Sequence, residues 1–201
     1  MDSPVLRPAT ATVEEGQEFA RLLDTAAEGM YRQMLGRSCP EILGRAFVQP
    51  GHDYSYEHVT FAENGGRIVG MVSGYTAEVH RMSDHEIVVA AAGWRRHRMA
   101  AYLRVAARLF DFMDAVPDGD YYVQGFAVDK DLRGKGIGSK LLDHAERTAK
   151  EHGSARFALD VAAKNKGGRR LYERRGMTAE AESPRWFGLP NTNVIRMVKA
   201  L

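Results

Sequence analysis

Apolar residues along this chain switch between helical and strand spacing, which predicts a mixed α and β protein. Phe19, Leu22, Leu23 and Ala26 share one face of a helix over 13–30, with Thr12 and Glu15 as a capping box at its start. Met99, Tyr102, Leu103, Ala106, Phe110 and Met113 follow the helical period across 98–115, opposite Arg98, Arg104, Arg108 and Asp111. Ile137, Leu141, Leu142, Ala145 and Ala149 line a helix running to about His152, with Gly153 suited to its C-terminal cap. A further helix is predicted over 165–175, stopped by Gly176.

Strands are predicted at Val5–Thr10, broken at Pro8, and at Glu57–Ala62 and Arg67–Tyr75. The latter two read as a hairpin because Asn64-Gly65 lies between them. Tyr121–Val128 follows an Asp118-Gly119 turn; residues 155–162, Met177–Ala181 and Asn193–Lys199 complete the set. Gly70 and Gly74 interrupt their strand and mark either a bulge or the close approach of a ligand. Segments 30–56 and 76–117 depart from the simple alternation and are candidates for substrate-facing insertions. Within the second, EIVVAAAGW reads as strand or as buried helix.

The chain has 201 residues, 44% of them hydrophobic, enough for one domain, 1–201, with a full core. No apolar run approaches the ~18 residues of a membrane span, and the start does not read as a signal peptide, so no membrane partner is expected. The lone Cys39, beside Pro40, excludes an intrachain disulfide framework and reads as structural; a cytoplasmic location is the expectation. Net charge is only +2. Its basic residues fall in two local clusters, 95–98 and 169–175, rather than a stripe, so no nucleic-acid partner is expected. The histidines lack zinc-ligand spacing, and no metal is expected.

The most informative segment is Asp131–Lys150. Gly134, Gly136 and Gly138 run straight into the amphipathic helix. Glycines there let the backbone approach an anion, and the amides of Arg133 through Gly138 can donate to pyrophosphate oxygens, helped by the helix dipole. The spacing misses the dinucleotide fingerprint by one residue, and Ser139-Lys140 stands in the wrong order for a nucleotide P-loop.

Arg133-Gly134-Lys135-Gly136-Ile137-Gly138, after the strand Phe126-Ala127-Val128-Asp129, resembles the acetyl-CoA-binding motif of the GCN5-related N-acetyltransferase (GNAT) superfamily, [Gln/Arg]-x-x-Gly-x-[Gly/Ala]. Asn165 with Leu171-Tyr172-Glu173-Arg174-Arg175-Gly176-Met177 is similar to that family's asparagine and LYxxxGF element, with Met177 in place of phenylalanine. The specific resemblance covers about 121–179. It implies a mixed, mostly antiparallel sheet of six or seven strands flanked by helices, whose central strands, 121–128 and 155–162, run parallel and splay apart. It further implies acetyl-CoA as cofactor: pantetheine in the opening beside Phe126, Ala127 and Val128, pyrophosphate on Arg133, Gly134, Lys135, Gly136, Ile137, Gly138 and Ser139, and contacts from Asn165 and Tyr172.

The implied activity is direct acetyl transfer to a primary amine of a small molecule or peptide, by a monomer or homodimer. Tyr172 would be the acid toward the leaving sulfur. The base is open. The strand before the glycine loop lacks the glutamate many relatives carry there; Tyr122 and Gln124 share a strand face and would orient a water. Asp118 and Asp120 are the other candidates, and Asp84, His85 and Glu86 form a polar cluster that would line the acceptor side. Tyr54, Tyr56 and an apolar loop with Trp186, Phe187 and Leu189 are candidates to border the acceptor. The alternatives are a CoA-binding module with weak or lost catalysis, and a transferase using a longer acyl-CoA.

Overall fold

The computed structural model describes residues 4–184 and 193–201. Its strands are β1 (Val5–Pro8), β2 (Val59–Asn64), β3 (Arg67–Thr76), β4 (Asp120–Val128), β5 (Arg156–Ala162), β6 (Thr178–Glu182) and β7 (Val194–Ala200). They form one seven-stranded sheet in the order β1-β2-β3-β4-β5-β7-β6. Only β4 and β5 pair in parallel; every other neighbouring pair is antiparallel. The helices are α1 (Val13–Ala26), α2 (Met30–Leu35), α3 (Cys39–Phe47), α4 (Ala77–Met82), α5 (Glu86–Ala92), α6 (Arg96–Val105), α7 (Ala107–Asp114), α8 (Ile137–Glu151) and α9 (Lys166–Arg174). Among the described residues no helix is long and apolar enough to cross a membrane.

Strand alternation feeds two cores. On one face, Phe19, Leu22 and Leu23 of α1 and Phe47 of α3 pack on Phe61 and Met71. On the other, Leu141 and Leu142 of α8 pack on Val69, Val123, Phe157 and Leu159. Each such side chain contributes about 1.5–3 kcal/mol on burial. Helices α1 and α3 cross so closely that a Cβ on Gly16 would stand 2.8 Å from Gly44 Cα.

Three local expectations are corrected. The helix expected over 13–30 ends at Ala26, because Glu28 (φ 54°) and Gly29 (φ 89°) take left-handed conformations that turn the chain into α2. The Asp24 carboxylate fixes this turn by accepting from the Arg32 amide at 2.8 Å. The capping box is only half formed: Thr12 Oγ1 accepts from the Glu15 amide at 3.3 Å, while the Glu15 carboxylate accepts from the Thr10 amide at 2.6 Å and pairs with Arg7 at 2.9 Å. The helix expected over 98–115 is two helices, α6 and α7, broken at Ala106 (φ −99°, ψ 13°). The segment EIVVAAAGW resolves as α5, closed by Gly93 at φ 54°.

The sheet opens where the parallel pair ends. Strands β4 and β5 pair from Asp120↔Arg156 to Val123↔Leu159 and no further. There the β3–β4 register shifts from Gly74↔Val123 to Ser73↔Gly125, leaving Gln124 as an extra residue. Such a bulge bends its strand, and β4 leaves β5 at that point. Gly125 suits the bend because a Cβ there would lie 2.8 Å from Leu23 Cδ1. The close approaches at Gly70 and Gly74 are internal to the sheet: added Cβ atoms would meet Ala127 O at 2.9 Å and Tyr121 Cε1 at 2.6 Å.

Candidate functional site

The opening between β4 and β5 exposes an unpaired strand edge. The Asp129 amide donates to Val69 O at 2.8 Å. By alternation Ala127 also turns its peptide groups toward β3, and those of Phe126 and Val128 face the opening. Val128 O accepts from Arg133 Nε at 3.0 Å; the remaining groups form a template to which an extended amide chain can add as a pseudo-strand. Ala127, expected beside the cofactor, instead pairs with Met71 and buries its side chain in the α1-side core.

At the end of β4 a 3-10 turn over 130–132 leads into the glycine loop. The Arg133 amide donates to Lys130 O at 3.3 Å, which withdraws it from the expected cradle. Among the described residues, none of the amides from Gly134 to Ser139 donates to a backbone carbonyl. Gly134 (φ 76°) and Gly136 (φ 82°) have open space around them and are there for their left-handed backbone. Gly138 has a different reason: a Cβ there would sit 3.1 Å from Phe126 Cζ, so its smallness lets α8 pack on β4. Ile137 is buried and anchors the helix start, while Lys135 and Ser139 are exposed at the loop. Unpartnered amides at the start of a fifteen-residue helix make an anion cradle.

Tyr172 of α9 is 7% exposed and sets its ring edge-on to Phe126, centroids 6.2 Å apart. Burial pushes its phenol up, so it stays protonated at neutral pH. Its hydroxyl has no hydrogen-bond partner among the described residues, and it lies on the α8 side of the opening. Asn165 caps α9, its Oδ1 accepting from the Gly168 amide at 2.9 Å; its Nδ2 is the group left to meet a cofactor.

On the α1 side of the opening lies a cavity of about 340 Å³. Met30, Tyr31, Tyr102, Leu109 and Met113 form its apolar walls, and Tyr122, Gln124 and Asp160 its floor. Tyr122 and Gln124 thus share a face as expected, but Tyr122 is committed: its hydroxyl donates to Asp160 Oδ2 at 2.9 Å. Burial first and Asp160 second push that phenol well up, so it presents only lone pairs to the cavity. Gln124 Oε1 accepts from Ser73 Oγ at 3.4 Å. Asp160 also receives Arg196 Nε and Nη2 at 3.0 and 2.8 Å. Arg196, 4% exposed, continues to the carbonyls of Phe112 (2.9 Å) and Met113 (3.1 Å) and to Ala115 O, docking the end of α7 on the sheet. At the rim, Lys164 Nζ pairs with Glu28 at 2.8 Å.

The other candidates are placed elsewhere. Asp120 is buried and held by Arg156 at 2.7 and 2.8 Å, and Asp118 pairs at the surface with Arg81. Asp84, His85 and Glu86 are exposed and do not line the cavity. Tyr54 stands behind Tyr31, hydroxyls 3.4 Å apart, and Tyr56 packs on Phe47. Burial pushes the Cys39 thiol up to about 12, which suits a structural residue. His144 Nε2 is 3.0 Å from Thr60 Oγ1, on the α8 side of the sheet. Trp186, Phe187 and Leu189 lie outside the described residues.

Sequence reasoning missed Asp160, Arg196, Glu28, Lys164 and Tyr31. Asp160 and Arg196 did leave a signal, each being a charge flanked on both sides by apolar residues in the middle of its strand, where burial requires a partner. Glu28 and Lys164 read as ordinary surface charges.

A forked, mostly antiparallel sheet with a glycine cradle at the fork defines the acetyltransferase class of fold. The acetyltransferase (GNAT) family model matches residues 28–177, and the chain belongs to that family. The GCN5-related N-acetyltransferase 7, chloroplastic, of Arabidopsis thaliana is 32% identical over 65 residues, 32% of this chain and 24% of that protein, so the match spans about a quarter of that relative. A solved acetyltransferase structure is 24% identical with a TM-score of 0.66 over 98% of each chain. An N-acetyltransferase from Staphylococcus aureus Mu50 is 15% identical with a TM-score of 0.66 over 97% of this chain and 100% of its own. At those identities the two structures establish a shared fold.

Proposed function

We propose that the protein transfers an acetyl group from acetyl-CoA to a primary amine by direct attack. The observation that carries this reading is the convergence at one opening of an unpaired β4 edge, the amide-lined glycine loop, a protonated Tyr172 on one side and a closed-floored cavity on the other. Phe126 and Val128 would hold the pantetheine amides, and the amides of Gly134 to Ser139 the pyrophosphate, with Lys135 adding charge. Asn165 Nδ2 would meet the pantetheine arm.

The amine, bound in the cavity, attacks the thioester carbon; the C–N bond forms as the C–S bond breaks. The nitrogen's proton leaves to water held by Gln124 and the Tyr122 oxygen. The Tyr172 hydroxyl donates its proton to the departing sulfur and recovers one from solvent. A preset donor at the sulfur and a preset proton acceptor at the nitrogen act on charge only as it develops.

The test is calorimetric titration with acetyl-CoA and CoA, followed by thiol release with an amine panel. Saturable binding and amine-dependent thiol release are expected. Binding without release from any amine would reduce the protein to a CoA-binding module, and no binding would remove the reading altogether.

A further inference from the structure

Among the described residues, the charges that line the fork cavity are paired with one another or with Arg196. Of the described lining residues, three are ionic: Glu28, Asp160 and Lys164. Glu28 and Lys164, 31% and 55% exposed at the rim, pair with each other at 2.8 Å. Asp160 is consumed by Arg196 and by the Tyr122 hydroxyl, at 3.0, 2.8 and 2.9 Å, and both ions of that pair are nearly inaccessible. Among the described residues no lining anion is left for a second cation on the acceptor, and no lining cation for a carboxylate. A charge buried without a partner is costly. The walls are aromatic and thioether groups, Tyr31, Tyr102, Met30 and Met113, which favour an apolar or aromatic body. Arg196 pins the wall that carries Leu109 and Met113, so the cavity is preformed.

We infer that the acceptor is a primary monoamine on an uncharged apolar body, an aralkyl or alkyl monoamine, and that the Glu28–Lys164 and Asp160–Arg196 pairs exclude polyamines and amino acids. This rests on the cavity being the acceptor site. A polyamine would set its distal ammonium against closed ion pairs, and an amino acid would bury its carboxylate beside the Asp160 floor. The water held by the Tyr122 oxygen and Gln124 receives the single amine.

The experiment compares matched pairs on the full chain: 2-phenylethylamine against phenylalanine, and hexylamine against 1,6-hexanediamine, with alanyl-alanine amide as a peptide probe. Each is read by thiol release and, independently, by calorimetric titration into protein saturated with free CoA. Both monoamines should exceed their charged partners and the peptide by about tenfold or more in kcat/KM and in affinity, the cost of one uncompensated charge. Lys164→Ala, which leaves Glu28 unpaired at the rim, should raise the hexanediamine-to-hexylamine ratio about tenfold; a ratio cancels partial loss of folded protein. Parity or preference for the diamine, the amino acid or the peptide overturns the inference, as does an unchanged ratio in Lys164→Ala. Failure of acetyl transfer with every amine would instead strike the transferase reading, and the binding titrations would still decide the acceptor class.

Discussion

The anion cradle is tested most cleanly at Gly136. The residue lies at φ 82°, ψ −6° and a Cβ would meet nothing within 4 Å. Any side chain there bears the left-handed strain of about 1–2 kcal/mol, with asparagine among the most tolerant residues. Gly136→Asn and Gly136→Asp have the same shape and differ by one charge, so their ratio removes the strain. A carboxylate about 5 Å from each of two pyrophosphate charges is opposed by about 1 kcal/mol per charge at the dielectric of water and about 3 kcal/mol at an effective dielectric of 20. Exposure of the loop and the neighbouring Lys135 argue for the lower end, about 2 kcal/mol in total, or about thirtyfold in Kd. Calorimetric titration with CoA should therefore find Gly136→Asp about thirtyfold weaker than Gly136→Asn at about 0.1 M salt, with the gap narrowing at about 1 M, where screening acts over ~3 Å. Equal affinities of the two variants, or a gap insensitive to salt, would refute the placement of pyrophosphate at this loop.

Tyr172→Phe removes a hydroxyl that bonds to nothing among the described residues, so melting temperature should hold while kcat falls by about tenfold or more and acetyl-CoA affinity stays within about twofold; unchanged kcat removes Tyr172 from the acid role. Arg196→Met strands the buried Asp160 carboxylate and frees the end of α7, and denaturant titration should show a loss of about 3–5 kcal/mol, against a much smaller loss if the pair is mere surface decoration. His80 Nδ1 lies 3.0 Å from the buried Asp53, with Asp114 and His85 also facing it, and the Asp53 hydrogen bond raises its pKa above 6.5. Its stabilisation is therefore fully present below about pH 6.5 and lost as pH rises through the folded value, so His80→Gln should cost more stability near about pH 5.5 than near about pH 8.5. Burial lowers His58 and His144, whose contributions run the other way, and the variant-minus-parent difference isolates His80. A cost independent of pH would show that folding leaves the His80 pKa at its unfolded value and refute the charged pair with Asp53.

What the chain determines locally was legible in its sequence. The glycine loop, the apolar stripe of α8 and its Gly153 cap depend on neighbours a few residues apart, and so does the Asn165 cap of α9. These interactions form wherever the segment lies. The breaks at Glu28 and Ala106 were not legible, because apolar period is blind to the sign of φ and to a docking point on another element. Gly138 looked like its fellow glycines, yet only the contact with Phe126 separates a packing glycine from two conformational ones. The fork and the place of Phe126 and Val128 in it were implied by the family resemblance, but their cause, a one-residue bulge at Gln124 after which Ala127 pairs with β3, is announced by no pattern of apolar residues. The charge closure of the cavity joins residues 36 apart in Asp160 and Arg196 and bridges two loops in Glu28 and Lys164. Their pairing exists only once the sheet has formed, because a buried charge takes its partner from whatever the fold brings within reach.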